Sequence, residues 1–124
     1  MANILIIEDS PTDAHVYSKF LRADGHSVRI AINGEDGIQM AVEHQPDLIL
    51  MDIVMPGVNG FQATRELRKA QPTANIPVVM LSTKDQETDR IWGMRQGAFE
   101  YLIKPVKKPE LLKCVDAALA STVS

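Results

Sequence analysis

Three acidic residues stand directly after short apolar runs of the sequence. Glu8 and Asp9 follow Ile4–Ile7, and Asp52 follows Leu48–Met51. Carboxylates that lie a few ångström apart raise one another's pKa unless a cation neutralises them. Mg²⁺ prefers oxygen ligands and keeps several waters, so one coordination position would stay open for a phosphate. The three carboxylates are therefore candidate magnesium ligands, provided that the fold brings them together.

Two more polar residues, Ser82 and Lys104, also end apolar runs. Phosphoryl transfer depends mainly on positioning and on neutralisation of charge. Asp52 could attack as a nucleophile and become an acyl phosphate, while Ser82 and Lys104 donate hydrogen bonds to the phosphoryl oxygens. Taken singly, each residue is more simply explained as a solvated loop residue or a helix cap. The coincidence of five such residues at run ends favours a ligand site.

The apolar runs themselves are rich in Ile, Leu and Val and alternate with longer amphipathic segments, a pattern typical of a parallel sheet covered by helices on both faces. We therefore predict an α/β fold, a doubly wound five-stranded parallel sheet with five helices. Ligands of such sheets bind at the carboxyl ends of the strands. All five polar residues should meet at that edge. The predicted strands are Ile4–Ile7, Val28–Ile32, Leu48–Met51, Val78–Leu81 and Tyr101–Ile103.

Capping residues, prolines and glycines predict where the helices begin. The apolar stripe of the first helix is expected to include Val16, Phe20 and Leu21, and that of the second Ile38 and Val42. Cys114 falls within the last helical pattern and is expected to be a packed residue without a disulfide. The predicted helix starts are Ser10–Pro11, Asn33–Gly34, Gly60, Asp85 and Pro109.

Composition is ordinary for a globular chain, with 45% hydrophobic and 23% charged residues among 124. We expect one domain over residues 1–124 and no output domain. A net charge of -3 argues against nucleic acid as a partner. No apolar run approaches the roughly 20 residues that span a bilayer, and the start lacks the features of a signal peptide. A cytoplasmic protein without membrane insertion is therefore expected.

In order and in spacing, the polar residues resemble the CheY-like receiver domain of two-component signalling. The matching motifs are Glu8 and Asp9, the segment 51–57 (MDIVMPG), Ser82, and Lys104 with Pro105. The resemblance covers nearly the whole chain. It implies strand order 2-1-3-4-5 and a protein that catalyses only its own phosphorylation and dephosphorylation.

The same resemblance implies a role for each site residue. Asp52 would accept the phosphoryl group, with Ser82 and Lys104 as its catalytic partners. Ser82 and Tyr101 would form the switch that changes the face built from helix 4, strand 5 and helix 5. A Mg²⁺ cofactor would be held by Glu8, Asp9, Asp52 and the backbone carbonyl of Val54.

Within the family, several segments are similar to receivers of type IV pilus chemosensory systems. They are 10–12 (SPT), 51–57 (MDIVMPG), 59–65 (NGFQATR), 83–89 (TKDQETD), 92–93 (WG) and 95–98 (RQGA). This similarity implies control of twitching motility, a CheA-type histidine kinase or a histidine phosphotransfer domain as phosphoryl donor, and a downstream protein effector. A monomer is expected. Whether the chain acts as an effector, a phosphorelay intermediate or a phosphate sink stays open.

Two other classes share parts of this pattern. An aspartate-nucleophile phosphatase uses similar residues but usually needs a second acid two residues after the nucleophile, where this chain has Val54. A flavodoxin-type binding module shares the fold. It would need a glycine-rich or hydroxyl-rich phosphate loop after the first strand, whereas Glu8 and Asp9 would repel a phosphate in the absence of a metal. The receiver interpretation is therefore preferred.

Overall fold

Runs of branched apolar residues form a fully parallel sheet, and a helix follows each strand. The computed structural model describes residues 1–122. The sheet has the predicted order β2-β1-β3-β4-β5. Its strands are β1 (Asn3–Ile7), β2 (Ser27–Ala31), β3 (Leu48–Asp52), β4 (Val78–Ser82) and β5 (Glu100–Ile103). The helices are α1 (Pro11–Ala23), α2 (Gly34–His44), α3 (Gly60–Lys69), α4 (Glu87–Arg95) and α5 (Lys108–Ser121).

The central strands are apolar except at their ends, because both faces of the sheet are covered. One core lies between the sheet and α2, α3 and α4, and includes Ile7, Met51 and Leu67. The other lies between the sheet and α1 and α5, and includes Ile6 and Val115. Alternate residues of one strand thus enter different cores, which fixes the pairing register.

Side-chain caps begin three of the helices. Ser10 accepts a hydrogen bond from the Asp13 backbone at 3.3 Å before α1, where Pro11 occupies the first turn. Asn33 caps α2, and Asn59 forms a capping box with Gln62 before α3. The helix starts at α1 and α2 therefore agree with those predicted from capping chemistry.

Two of the residues predicted for the helix faces were assigned wrongly. Val16 and Val42 are exposed, whereas Leu21 is buried and Phe20 and Ile38 pack against the two cores as predicted. Residues at spacings of three, four and seven share a helix face, and the buried face of α1 is centred on Tyr17 and Leu21. The prediction thus found the packed faces of α1 and α2 but drew each of them one residue too wide.

Helix α4 and the last helix also differ in detail from expectation. Helix α4 starts at Glu87 rather than Asp85 and is therefore shorter than predicted. Cys114 is half-buried in α5, and burial together with the charges of Glu100 and Glu110 raises the pKa of its thiol to about 11.

None of the helices between residues 1 and 122 is long and apolar enough to cross a membrane.

Candidate functional site

The carboxyl ends of β1 and β3 bring the predicted acidic residues together. Ile7 pairs with Met51 in the sheet, so the residues that follow them, Glu8 and Asp52, emerge side by side. One oxygen from each of Glu8, Asp9 and Asp52 lies within 4.8 Å of the others. Glu8 and Asp52 are buried, whereas Asp9 is exposed. The pocket therefore combines two desolvated carboxylates with one that faces water.

Lys104 enters the same pocket from the end of β5. Its Nζ donates to Glu8 Oε1 at 2.7 Å, to Asp13 Oδ2 at 2.9 Å and to Asp52 Oδ1 at 3.2 Å. The side chain is only 9% exposed. The bond from Lys104 to Pro105, whose isomer the sequence left open, is cis. Lys104 is thus the cation shared by three carboxylates.

Burial and the neighbouring carboxylate change the protonation of the site. Desolvation, followed by the hydrogen bond and charge of Glu8, raises the pKa of Asp52 to about 7, although Lys104 opposes this shift. Burial by itself would lower the pKa of Lys104, but the hydrogen bonds to Glu8 and Asp13 outweigh it and raise that pKa. Lys104 therefore stays charged, and Asp52 needs a further positive charge to ionise fully near neutrality.

The acidic pocket fits a magnesium ion. Lys104 Nζ contacts the carboxylates of Glu8, Asp13 and Asp52, and the Asp9 carboxylate lies beside those of Glu8 and Asp52. Burial and the neighbouring Glu8 raise the pKa of Asp52, and a bound cation would favour its ionised form. Oxygen donors within 4.8 Å of one another are the ligand set that Mg²⁺ prefers. The side chain of Val54 is exposed, and the role of its backbone carbonyl stays a prediction.

Asp13 belongs to this pocket and was missed from the sequence. It lies in the first turn of α1, where an acidic residue is explained by the helix dipole alone. Its contact with Lys104 joins residues 91 positions apart in the sequence, and a contact over that distance cannot be predicted from local residue spacing. The sequence did contain one signal for Asp13: a capped helix starts directly after the acidic pair. The first turn of such a helix, which contains Asp13, lies next to the pocket.

Ser82 and Tyr101 lie on the α4 side of the site. Ser82 is buried at the end of β4, and its Oγ accepts the Lys84 backbone N–H at 3.0 Å. Tyr101 is buried and donates its hydroxyl to the Lys84 carbonyl at 2.7 Å. Burial raises the pKa of Tyr101, while the Ser82 hydroxyl beside it lowers it. The loop after β4 thus contacts both residues predicted to form the switch.

A glycine of α4 makes room for the buried tyrosine. A Cβ on Gly93 would lie 2.9 Å from Tyr101 Cδ2 and 2.8 Å from Met80 Sδ. Such separations are shorter than carbon and sulfur atoms tolerate, so any side chain at this position would displace a neighbour. Gly93 is therefore required for the inward position of Tyr101 against α4.

A second glycine lies against the strand that carries Asp52. A Cβ on Gly60 would lie 2.2 Å from the Asp52 carbonyl oxygen, and the Gly60 N–H donates to the Ile53 carbonyl at 2.9 Å. The backbone carbonyl of Asp52 belongs to a paired strand and, unlike a flexible side chain, cannot move aside to make room for a Cβ. The start of α3 is therefore fixed directly against the backbone of Asp52 and Ile53.

Residues 4–116 match the family model described as response regulator receiver domain. The chain belongs to this family. It is 55% identical over 120 residues to the protein PilH of Pseudomonas aeruginosa, an alignment that covers 97% of this chain and 99% of PilH. The CheY-like fold predicted from the residues is thereby confirmed.

Solved receiver structures resemble the chain closely. The chemotaxis protein CheY4 of Vibrio cholerae is 28% identical and superimposes with a TM-score of 0.89, covering 95% of this chain and 98% of that one. The receiver domain of a sensor histidine kinase from Pseudomonas aeruginosa is 30% identical with a TM-score of 0.89, covering 96% and 98%. That structure has a magnesium ion coordinated in its active site cleft.

Proposed function

We propose that this receiver accepts a phosphoryl group on Asp52 in a magnesium-dependent reaction. The observation that carries the proposal is the Asp52 carboxylate, buried at the end of β3 with Lys104 Nζ at 3.2 Å and Glu8 and Asp9 beside it. The lysine can stabilise charge that develops on the phosphoryl oxygens. A magnesium ion held by Glu8, Asp9 and Asp52 would neutralise part of the negative charge of these carboxylates and of the phosphoryl group.

In the transfer, an oxygen of Asp52 forms a bond to phosphorus as the bond from the donor histidine nitrogen breaks. The electron pair of that bond remains on the nitrogen, which then takes a proton. Lys104 donates to one phosphoryl oxygen, and the Ser82 hydroxyl turns from the Lys84 backbone towards another. The protein contributes position and charge, which are the main sources of catalysis in this chemistry.

The proposed signal begins with Ser82 and reaches the face of α4, β5 and α5. When the Ser82 hydroxyl moves, the loop that contains Lys84 loses a contact, and the carbonyl that holds Tyr101 is in that loop. The phosphorylated state would hold the tyrosine and α4 in one of two arrangements. Trp92, 44% exposed on α4, provides an aromatic contact for an effector on this face.

We further propose that the phosphoryl donor is a CheA-type histidine kinase or a histidine phosphotransfer domain, and that the chain regulates pilus-driven motility. The similarity to PilH over nearly the full length of both proteins supports this proposal. A phosphorelay or phosphate-sink role in another pathway is the alternative. A single domain over residues 1–124, a monomeric state and a cytoplasmic location stay predictions.

A phosphatase function is less well supported by the site. The position two residues after Asp52 is Val54, whose exposed side chain has no acidic group to protonate a leaving alcohol or activate water. A non-acidic side chain at this position favours an acyl phosphate on Asp52 that persists over one that is hydrolysed in rapid turnover.

The proposal is tested by intact-mass measurement after incubation with acetyl phosphate and magnesium. We expect a gain of about 80 Da, one phosphoryl group, that is lost in Asp52→Asn and in the presence of a chelator. Asp47→Asn is the matched control, because Asp47 precedes the opposite end of β3 and its carboxylate accepts a hydrogen bond from the Asn3 backbone, away from the pocket. An adduct that survives in Asp52→Asn, or none in the native chain, would contradict the proposal.

A further inference from the structure

We propose that Asp13 is a positioning residue that holds Lys104 before phosphorylation and releases it to the phosphoryl group. The inference rests on the proposed function of Asp52. Lys104 Nζ is 2.9 Å from Asp13 Oδ2, closer than its 3.2 Å separation from the acceptor oxygen of Asp52. The lysine is therefore held towards α1 in the structure.

A count of hydrogen-bond donors shows why a release is needed. An ammonium has three N–H donors. Those of Lys104 are directed at Glu8, Asp13 and Asp52. A phosphoryl group on Asp52 adds oxygens that require donors, so Lys104 can satisfy a new oxygen only by giving up one of its present partners.

Between the two carboxylates that do not receive the phosphoryl group, exposure identifies the one that can be released. The Glu8 side chain is 2% exposed, and its second oxygen accepts the Ser10 backbone N–H, so Glu8 is fixed and would lose much by losing its cation. The Asp13 side chain is 39% exposed, and water can replace the lysine there at small cost. Asp13 is thus the contact that can open without disturbing the buried pair.

Two opposite effects on ligand binding follow. Removing the Asp13 charge frees one Lys104 donor and reduces repulsion, so an anionic phosphoryl mimic should bind more tightly. The same removal takes one negative charge from the pocket, so magnesium by itself should bind more weakly. A variant that only damaged the fold would bind both ligands more weakly.

The test uses isothermal titration calorimetry on the full chain with two probes: magnesium chloride alone, and beryllofluoride in saturating magnesium. For Asp13→Asn we expect beryllofluoride binding to be up to about fivefold tighter and magnesium binding up to about fivefold weaker, the range of exposed ion pairs. Asp13→Glu should restore native values for both. Glu110→Gln is the matched control, because it also removes a first-turn acid but belongs to α5.

Each outcome decides one question. Opposite shifts in Asp13→Asn, absent in the Glu110→Gln control, support the positioning role. Unchanged or weaker beryllofluoride binding in Asp13→Asn, with normal binding by the native chain, would overturn it while leaving the Asp52 proposal intact. Failure of the native chain to bind beryllofluoride would overturn both.

Discussion

The substitution Gly93→Ala tests whether the inward tyrosine depends on space left by α4. The new methyl group would lie 2.9 Å from Tyr101 Cδ2 and 2.8 Å from Met80 Sδ. Overpacking of this kind costs about 2 kcal/mol. Replacing glycine by alanine within a helix stabilises the folded state by about 1 kcal/mol through higher helix propensity. We therefore expect a net loss of about 1 kcal/mol in the free energy of unfolding, the small remainder of these two effects.

The measurement is urea denaturation of a double-mutant cycle in which Gly93→Ala is combined with Tyr101→Ala. Without the ring, the contact with Tyr101 disappears, the flexible Met80 side chain has room to move, and the gain in helix propensity remains. Gly93→Ala should then be neutral or stabilising by up to about 1 kcal/mol in that background, which gives a coupling of about 1 to 2 kcal/mol. The reasoning is refuted if Gly93→Ala stabilises the native chain, or if its effect is the same with and without Tyr101.

Three further predictions follow from features of the helices and from Cys114. At pH 8, iodoacetamide should alkylate Cys114 much more slowly in the folded protein than in the urea-unfolded chain, as followed by mass spectrometry. The alkylation rate of the folded protein should rise as the pH approaches the thiol pKa of about 11. Equal rates for folded and unfolded protein at pH 8 would contradict this prediction. Gly60→Ala should cost more than about 3 kcal/mol or prevent folding, because the Asp52 carbonyl blocks the methyl group; a native-like denaturation midpoint would contradict it. Asn59→Ala should cost about 1 kcal/mol through loss of the α3 cap, and Asn59→Asp should retain most of the stability in the same urea titration.

The architecture was predictable because its signals are local. Apolar runs such as Leu48–Met51 indicate buried parallel strands, and the capping groups Ser10 and Asn33 mark helix starts that the structure confirms. The polar residues could be assigned to one edge because all parallel strands end there. That reasoning required no knowledge of side-chain contacts.

What the sequence could not provide depends on contacts between distant segments. The partnership of Asp13 with Lys104 follows from how α1 packs, and local patterns explain Asp13 equally well as a helix-dipole residue. The role of Gly93 depends on a tyrosine from the next strand and was not predicted. Val16 was assigned to the core because it lies one turn before Phe20, whereas the centre of the buried face is set by how Tyr17 and Leu21 pack on the sheet.

The ion pairs of Lys104 also determine when the site comes into existence during synthesis. Glu8 and Asp13 lie in the first strand and helix, whereas their cation is 96 and 91 residues further along the chain. A nascent chain that ends before residue 104 has Asp52 and the acidic pair but lacks the ammonium that joins them. Chains made in the amino-to-carboxyl direction therefore complete these ion pairs only when the residue after β5 is added, and until then the buried carboxylates have no lysine to neutralise them.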